Sequence, residues 1–375
     1  MTRVLVVTND FPPRPGGIQT FVHELITQLD PQDVVVYASR WKGWEKFDAE
    51  QPFEVVREET SVLLPTPKVR RRAAALFAAR ECSSVLFGAA APLGLMAPSL
   101  RSAGAQRLVA MTHGHEAGWA MLPGARQMLR RIGDGVDTVT YLGEYTRRRI
   151  ASALSSEAAG RMVRLTPGVD TEFFRPDVDG EGVRRRYGLT GRPVVVCVSR
   201  LMPRKGQDTL IGALPGIQRA APHAALLLVG GGPYRTKLQR MAERSGVAED
   251  VVFTGSVPWS ELPAHFAAGD VFAMPCRTRR SGLDVEGLGI VYLEASATGL
   301  PVIAGRSGGA PDAVLEGETG VIVDAGAEEV SEAASRLLAD GVHAKALGDR
   351  GRSWVESEWA WPARGRQLTA LLAPG

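Results

Sequence analysis

The sequence predicts two α/β domains, each a Rossmann-like, doubly wound sheet of parallel strands. Three observations predict it. Short apolar runs recur along the chain with helical stretches between most of them, the pattern of parallel strands joined by crossovers. The first run leads through a glycine turn into a helix, the opening unit of such a sheet. A proline-bracketed break then separates one series of runs from a second.

Taken in order, residues 3–8 form an apolar strand ending in Asn9-Asp10. Pro12-Pro13-Arg14-Pro15-Gly16-Gly17 makes the turn, and residues 18–29 have helical periodicity. Further strand-like runs lie at 33–38, 84–88, 108–112 and 136–142. Thr166-Pro167-Gly168-Val169-Asp170, with Phe173-Phe174-Arg175-Pro176, interrupts the alternation and marks the hinge. The second series runs through 193–199, 224–230, 251–255, 271–275, 301–304 and 320–324. The closing stretch, 354–372, holds Trp359-Ala360-Trp361-Pro362 and then a last helix. The predicted domains are 1–168 and 169–357, with 358–375 as a final helical segment.

A chain of 375 residues can bury two separate cores. Its 45% hydrophobic and 23% charged content is that of a globular protein, and no apolar run approaches the ~20 residues that span a bilayer. The apolar start is too short for a secretory leader and reads as a strand. Cys82, Cys197 and Cys276 are far apart, which argues against a disulfide framework or a cysteine-rich metal site and points to a reducing cytoplasm. A formal charge of +3 is too weak to imply nucleic acid.

The most informative stretch is 286–305, EGLGIVYLEASATGLPVIAG. Gly287 and Gly289 form a turn into a helix carrying Glu294, and Gly299-Leu300-Pro301 stops that helix before a strand. Glu286 and Glu294, eight residues apart, fall roughly two turns apart on one face. The helix start suits an anionic phosphate, because its N–H groups lack internal partners and the macrodipole is positive there. A carboxylate further in can accept hydrogen bonds from sugar hydroxyls. The alternative is a capped amphipathic helix with solvated glutamates.

Ser199-Arg200-Leu201-Met202-Pro203-Arg204-Lys205-Gly206 follows a strand and opens a helix, which aims cations into the crevice where such sheets bind ligands. Surface cations are the other reading. Gly230-Gly231-Gly232 after another strand, and Gly16-Gly17 in the first half, let backbone approach a phosphate. Thr112-His113-Gly114-His115-Glu116 ends a strand without the HExxH spacing of a zinc site, so His113 is expected to hydrogen-bond a sugar or phosphate. Asp177-Val178-Asp179 matches a metal-binding DxD but sits in a Pro/Gly-rich segment and is expected to be a loop. Lys68-Val69-Arg70-Arg71-Arg72 opens a helix, where cations are unfavourable. An anionic membrane surface, with Trp41 and Trp44 as interfacial anchors, is one explanation; a solvated basic face is the other.

These features together resemble the retaining glycosyltransferases of family 4, over essentially the whole chain. The resemblance rests on Gly16-Gly17-Ile18-Gln19, the His113 strand end, the Arg200/Lys205 pair, and Glu286 with Glu294. It implies the GT-B fold, two Rossmann-like domains facing across a cleft with the final helix returning to the first. The stretches TNDFPPRPGGIQ, THGHEAGW, RLMPRKGQDTL, VGGGPY, the run from Met274 to Gly305 and SEWAW are similar to the phosphatidylinositol mannoside mannosyltransferases within that family. That similarity implies transfer of mannose from GDP-mannose to the inositol 6-position of phosphatidylinositol monomannoside, at the inner face of the plasma membrane, without a metal or other cofactor.

By the same resemblance, residues 1–168 bind the acceptor and 169–357 the nucleotide sugar. Arg200 and Lys205 hold the donor diphosphate and stabilise the leaving GDP, and Gly17 adds a backbone N–H. Glu294 holds the ribose hydroxyls, while Glu286 and the backbone of Gly287, Leu288, Gly289 and Ile290 hold mannose. Val252 to Gly255 and Met274 border the guanine, with Gly230, Gly231 and Gly232 along that wall. His113 contacts mannose, with Asp10 and Gln19 on the acceptor side, and domain closure completes the site. Arg277, Arg279 and Arg280 depart from the family pattern and are placed in a mobile loop over the acceptor. Another family 4 enzyme, using UDP-glucose or a glycosyl-diacylglycerol acceptor, is the alternative. A non-catalytic binding module and an epimerase of the same architecture are also weighed.

Overall fold

The computed structural model describes residues 3–114 and 116–374, and the chain divides into two compact units, 1–168 with 361–375, and 169–360. The first unit has a seven-stranded parallel sheet: β1 (Val4–Thr8), β2 (Val34–Ser39), β3 (Glu54–Glu58), β4 (Ser84–Phe87), β5 (Arg107–Ala110), β6 (Thr138–Tyr141) and β7 (Val163–Arg164). Their spatial order is β3-β2-β1-β4-β5-β6-β7. The second unit has six: β8 (Val194–Val198), β9 (Ala225–Val229), β10 (Val251–Gly255), β11 (Val271–Met274), β12 (Val302–Gly305) and β13 (Gly320–Val323), in the order β10-β9-β8-β11-β12-β13.

Central strands such as β1, β8 and β9 are buried along their whole length, which explains their continuous apolar runs. Chain order reverses between β1 and β4 in the first unit and between β8 and β11 in the second. At such a reversal the loops beyond the strands' carboxyl ends diverge, which is where open sheets of this kind bind ligands.

Strands β3 and β7 are additions to the expected set. Glu54-Val55-Val56-Arg57-Glu58 reads as a polar segment, but Arg57 forks onto Asp48 (2.7 and 3.0 Å) and Glu58 accepts from the Tyr37 hydroxyl at 2.8 Å. These pairings let charged side chains lie buried in an edge strand. The first helix runs Gly17–Ile26, shorter than the periodicity suggests. A helix over Gly341–Glu358 ends before Trp361–Leu372, a separate helix packed in the first unit, where Leu371 accepts from Arg107 Nε at 2.9 Å. Gly168 has room for no side chain, since a Cβ would meet Trp361 at 2.6 Å.

Candidate active site

In the second unit the reversal between β8 and β11 brings charged residues together. Beyond β8, Pro203–Lys205 forms one 3-10 turn, Gly206 takes φ 80°, and a helix runs Gln207–Ala220. Glycine is required at 206 twice over: φ is left-handed, and a Cβ would lie 2.1 Å from the Pro275 carbonyl beyond β11. The two loops are thus in backbone contact, and the Arg277 amide donates to the Arg204 carbonyl at 2.8 Å.

Lys205 is nearly buried, with Nζ 2.7 Å from Glu286 Oε2; Arg204 lies 3.8 Å from the same oxygen and 3.5 Å from Asp284. The sequence pairs Lys205 with Arg200, and the structure adds that Glu286 is the lysine's counter-ion. Arg200 is exposed, and no described residue pairs with its guanidinium. Its backbone is positioned by a residue absent from the sequence-based set. The fully buried Gln207 amide donates to Ser199 Oγ at 2.8 Å and to the Arg200 carbonyl at 3.1 Å. Only the link from helix start back to strand end reveals it.

The expectation that Glu286 and Glu294 share one helical face is corrected. Gly289, at φ 79°, caps a helix that begins at Ile290 and ends at Ala297, so Glu286 belongs to the preceding turn. That turn is seated by backbone: Gly309 donates to the Glu286 carbonyl at 2.9 Å, and a Cβ on Gly309 would meet the Gly287 carbonyl at 2.1 Å. Glu294 lies on the helix's second turn, buried, with no side-chain hydrogen bond from any described residue. Burial pushes its carboxyl up to about 8. Such a group suits hydrogen bonding to ligand hydroxyls.

Arg277, placed by the sequence in a mobile loop over the acceptor, is paired within its own unit. It forks onto Asp208 (2.6 and 2.9 Å), which also accepts from the Tyr234 hydroxyl at 3.0 Å. Arg279 reaches Asp284 at 3.3 Å. Arg280 and Ser281 both take positive φ, 49° and 52°, a strained pair of non-glycine residues in this loop. Gly231 and Gly232 have a packing reason, since their Cβ atoms would meet Ser256 Oγ at 2.6 Å and the Leu201 carbonyl at 2.3 Å. Val252 is half-buried on edge strand β10. Met274 is sealed in the core, its carbonyl accepting from Tyr292 at 2.7 Å, so its side chain lines no open surface. Burial pushes the thiols of Cys197 and Cys276 up to about 11, which leaves them poor nucleophiles.

In the first unit the reversal between β1 and β4 gathers groups of another kind. Gln19 Nε2 donates to Asp10 Oδ1 at 2.6 Å, joining the helix to the loop after β1. Gly16 and Gly17 open that helix; a Cβ on Gly16 would fall 2.2 Å from Gln19 Oε1, while Gly17 faces open space. His113 Nε2 donates to the Gly88 carbonyl beyond β4, which fixes the protonated nitrogen, and its ring meets Phe21 edge-on at 5.7 Å. The His113 amide donates to buried Glu116 at 2.9 Å. His115 lies outside the described residues.

Elsewhere, Asp179 accepts from the Glu181 amide at 2.8 Å and Asp177 pairs with Arg175 at 3.3 Å, both local contacts. No group of three or more His, Cys, Asp or Glu among the described residues could hold a metal ion. Glu58 draws in Lys68 (3.1 Å) and Arg72 (3.7 Å), which accounts for part of the basic cluster. No helix among the described residues is long and apolar enough to cross a membrane.

Residues 15–173 match the model described as Glycosyltransferase Family 4, and residues 181–354 match Glycosyl transferases group 1. The chain is 55% identical to the GDP-mannose-dependent alpha-(1-6)-phosphatidylinositol monomannoside mannosyltransferase of Mycolicibacterium smegmatis, covering 99% of this chain and 98% of that one. It is 47% identical to a Corynebacterium glutamicum protein named as the corresponding transferase for the monoacylated acceptor, covering 99% and 97%. Among solved structures, Anabaena HepE in complex with UDP aligns over 99% of both chains with a TM-score of 0.83 at 19% identity, a likeness of fold.

Proposed function

The chain belongs to the family 4 glycosyltransferases, and we propose that it moves mannose from GDP-mannose to the inositol 6-position of phosphatidylinositol monomannoside, with retention at the anomeric carbon. The observation that carries this reading is Lys205 held against Glu286 beyond β8, with Arg200 exposed at the end of the same strand, in a chain 55% identical to an enzyme so named over 99% of its length.

The chemistry follows from charge. As the bond between C1 of mannose and the β-phosphate breaks, negative charge grows on the phosphate and the sugar becomes oxocarbenium-like. Arg200 and Lys205 stabilise the first, with the N–H groups at Gly287 to Ile290. Glu286 exchanges its ion pair with Lys205 for hydrogen bonds to mannose hydroxyls as the diphosphate takes over the lysine. Glu294 holds the ribose hydroxyls, and Val252 and Gly231 border the base. The acceptor hydroxyl attacks C1 from the face the phosphate leaves, and its proton passes to the departing phosphate oxygen. In this reading 169–357 is the donor domain and 1–168, with the returning helix, is the acceptor domain, using Asp10, Gln19 and His113. Gly17 offers an amide to phosphate. The lipid acceptor implies peripheral attachment to an anionic membrane, and Lys68, Arg71, Trp41 and Trp44 suit it.

The test is transfer from labelled GDP-mannose to purified phosphatidylinositol monomannoside, followed by linkage analysis. An α-1,6-linked dimannoside is expected. Robust transfer from UDP-glucose with none from GDP-mannose would overturn the donor assignment.

A further inference from the structure

The first unit carries five exposed large hydrophobic residues among those described: Trp41, Val62, Leu64, Met121 and Leu122. All five lie in connections that leave the carboxyl ends of strands: Trp41 follows β2, Val62 and Leu64 follow β3, and Met121 and Leu122 sit between the short helix Glu116–Trp119 and the helix Pro123–Gly135 in the connection that leaves β5. Isolated exposed hydrophobics are ordinary, but confinement to one edge is not.

The helices that follow share that edge. In a parallel sheet each crossover helix starts where the preceding strand ends, so Pro67–Ala79 and Pro123–Gly135 both begin at the carboxyl edge. Their buried residues, Val69, Ala73 and Phe77 from one and Leu129 and Ile132 from the other, enter the same core cluster, so both helices cover the same face of the sheet. Each opens with proline, Pro123 directly after Met121-Leu122 and Pro67 three residues after Leu64, and each carries exposed cations: Lys68, Arg71 and Arg72 on one, Arg126, Arg130 and Arg131 on the other. The second helix has no acidic residue in its first turn, and its single acid, Asp134, comes in its last turn. Glu58 holds Lys68 and Arg72, and Arg126 caps the Ser152 carbonyl, which leaves Arg71, Arg130 and Arg131 exposed with no partner among the described residues. Apolar tips backed by such cations match a bilayer bearing anionic headgroups, where apolar groups enter the acyl boundary and cations meet phosphates.

We infer that the Met121–Leu122 turn and the helix behind it form a second membrane anchor, so the first unit meets an anionic bilayer at two points, the other being Trp41, Val62 and Leu64 with the Lys68–Arg72 cluster. The inference rests on the lipid-acceptor reading above and adds the orientation: the carboxyl edge of the sheet, where Asp10, Gln19 and His113 lie, faces the lipid.

The experiment is co-sedimentation of the full chain with phosphatidylcholine vesicles, with and without phosphatidylglycerol, for wild type, M121S/L122S and R130Q/R131Q. GDP binding by calorimetry serves as the control for fold. Losing two apolar tips should lower vesicle partitioning roughly tenfold, and losing two cations by a similar factor on anionic vesicles only, with GDP affinity unchanged. Wild-type partitioning by both variants would overturn the inference. So would self-association of the wild type, read by analytical ultracentrifugation, that M121S/L122S abolishes with vesicle binding intact, since the patch would then be a self-association surface. Anionic-vesicle binding that falls in both variants, in a protein that transfers no mannose, would sustain the anchor and sink the transferase reading. Transfer to detergent-dispersed acceptor without vesicle binding would do the reverse.

Discussion

The two strand-order reversals differ in what they gather. Beyond β8 and β11 the contacts are ionic: Lys205 with Glu286 at 2.7 Å, Arg277 with Asp208 at 2.6 Å, and Arg204 between Glu286 and Asp284. Beyond β1 and β4 they are hydrogen bonds of a milder kind, Gln19 to Asp10 and His113 to a backbone carbonyl, beside apolar loops. One architecture thus supplies two addresses, and the loops decide the chemistry at each. A site for a diphosphate needs fixed positive charge whose counter-ions can be exchanged. A site for a sugar headgroup on a lipid needs directional hydrogen bonds and an edge that tolerates hydrocarbon.

The largest test of that contrast is Lys205→Ala. Removing a charge-assisted contact to the leaving phosphate forfeits ~1.5–3 kcal/mol, so turnover should fall roughly ten- to hundredfold while circular dichroism is unchanged. A folded variant with wild-type turnover would remove the lysine from the mechanism and the ionic character of this reversal from the argument.

How much of this was legible beforehand follows from what each feature depends on. The parallel sheets could be read because buried central strands are continuous apolar runs, as Val194–Val198 is. Lys205 and Arg200 could be read because a strand end is a position in sequence. Strand β3 could not, since Arg57 and Glu58 look like loop residues until Asp48 and Tyr37 are placed beside them. The spacing of Glu286 and Glu294 does not place both on one helical face, because the left-handed turn at Gly289 breaks the period that such spacing assumes. Gln207 and the Arg277–Asp208 fork depend on contacts between loops that are distant along the chain.

Two buried carboxyls give the next test. In the first unit the Tyr37 hydroxyl, with Lys68 and Arg72, holds Glu58 below the usual carboxylate range despite burial; in the second, burial alone raises Glu294 to about 8. The sign follows from linkage. As pH rises from about 4.5 to about 8, the unfolded chain ionises this glutamate while the folded chain keeps the proton, so stability drains away with rising pH. Glu294→Gln has no such drain. Its melting temperature should match wild type near pH 4.5 and exceed it by a few degrees near pH 8, measured by scanning calorimetry. Parallel curves would mean that Glu294 is ionised in the folded protein.

A smaller effect is expected in the first unit. Gln19→Ala deletes one side-chain hydrogen bond, ~1 kcal/mol, so KM for the lipid acceptor should rise about fivefold with KM for GDP-mannose unchanged. Steady-state kinetics in each substrate separates these. A shift confined to the donor would reverse the assignment of the two units.

The smallest effect concerns Asp177 and Asp179, whose spacing imitates a metal site. Asp179 serves the Glu181 amide at 2.8 Å, a local turn that closes the chain into the helix Glu181–Arg186, and Asp177 answers Arg175 at 3.3 Å. Neither contact reaches the Lys205–Glu286 pair. The double variant D177N/D179N should therefore keep turnover within about twofold and lose no more than about 3 °C in melting temperature, as expected for weakening one local turn. EDTA should leave wild-type transfer unchanged. If instead EDTA abolished transfer, added metal restored it, and the double variant resembled the chelated enzyme, positive charge at the donor would come from an ion held by these aspartates. The ionic reversal in the second unit would then be only part of the site.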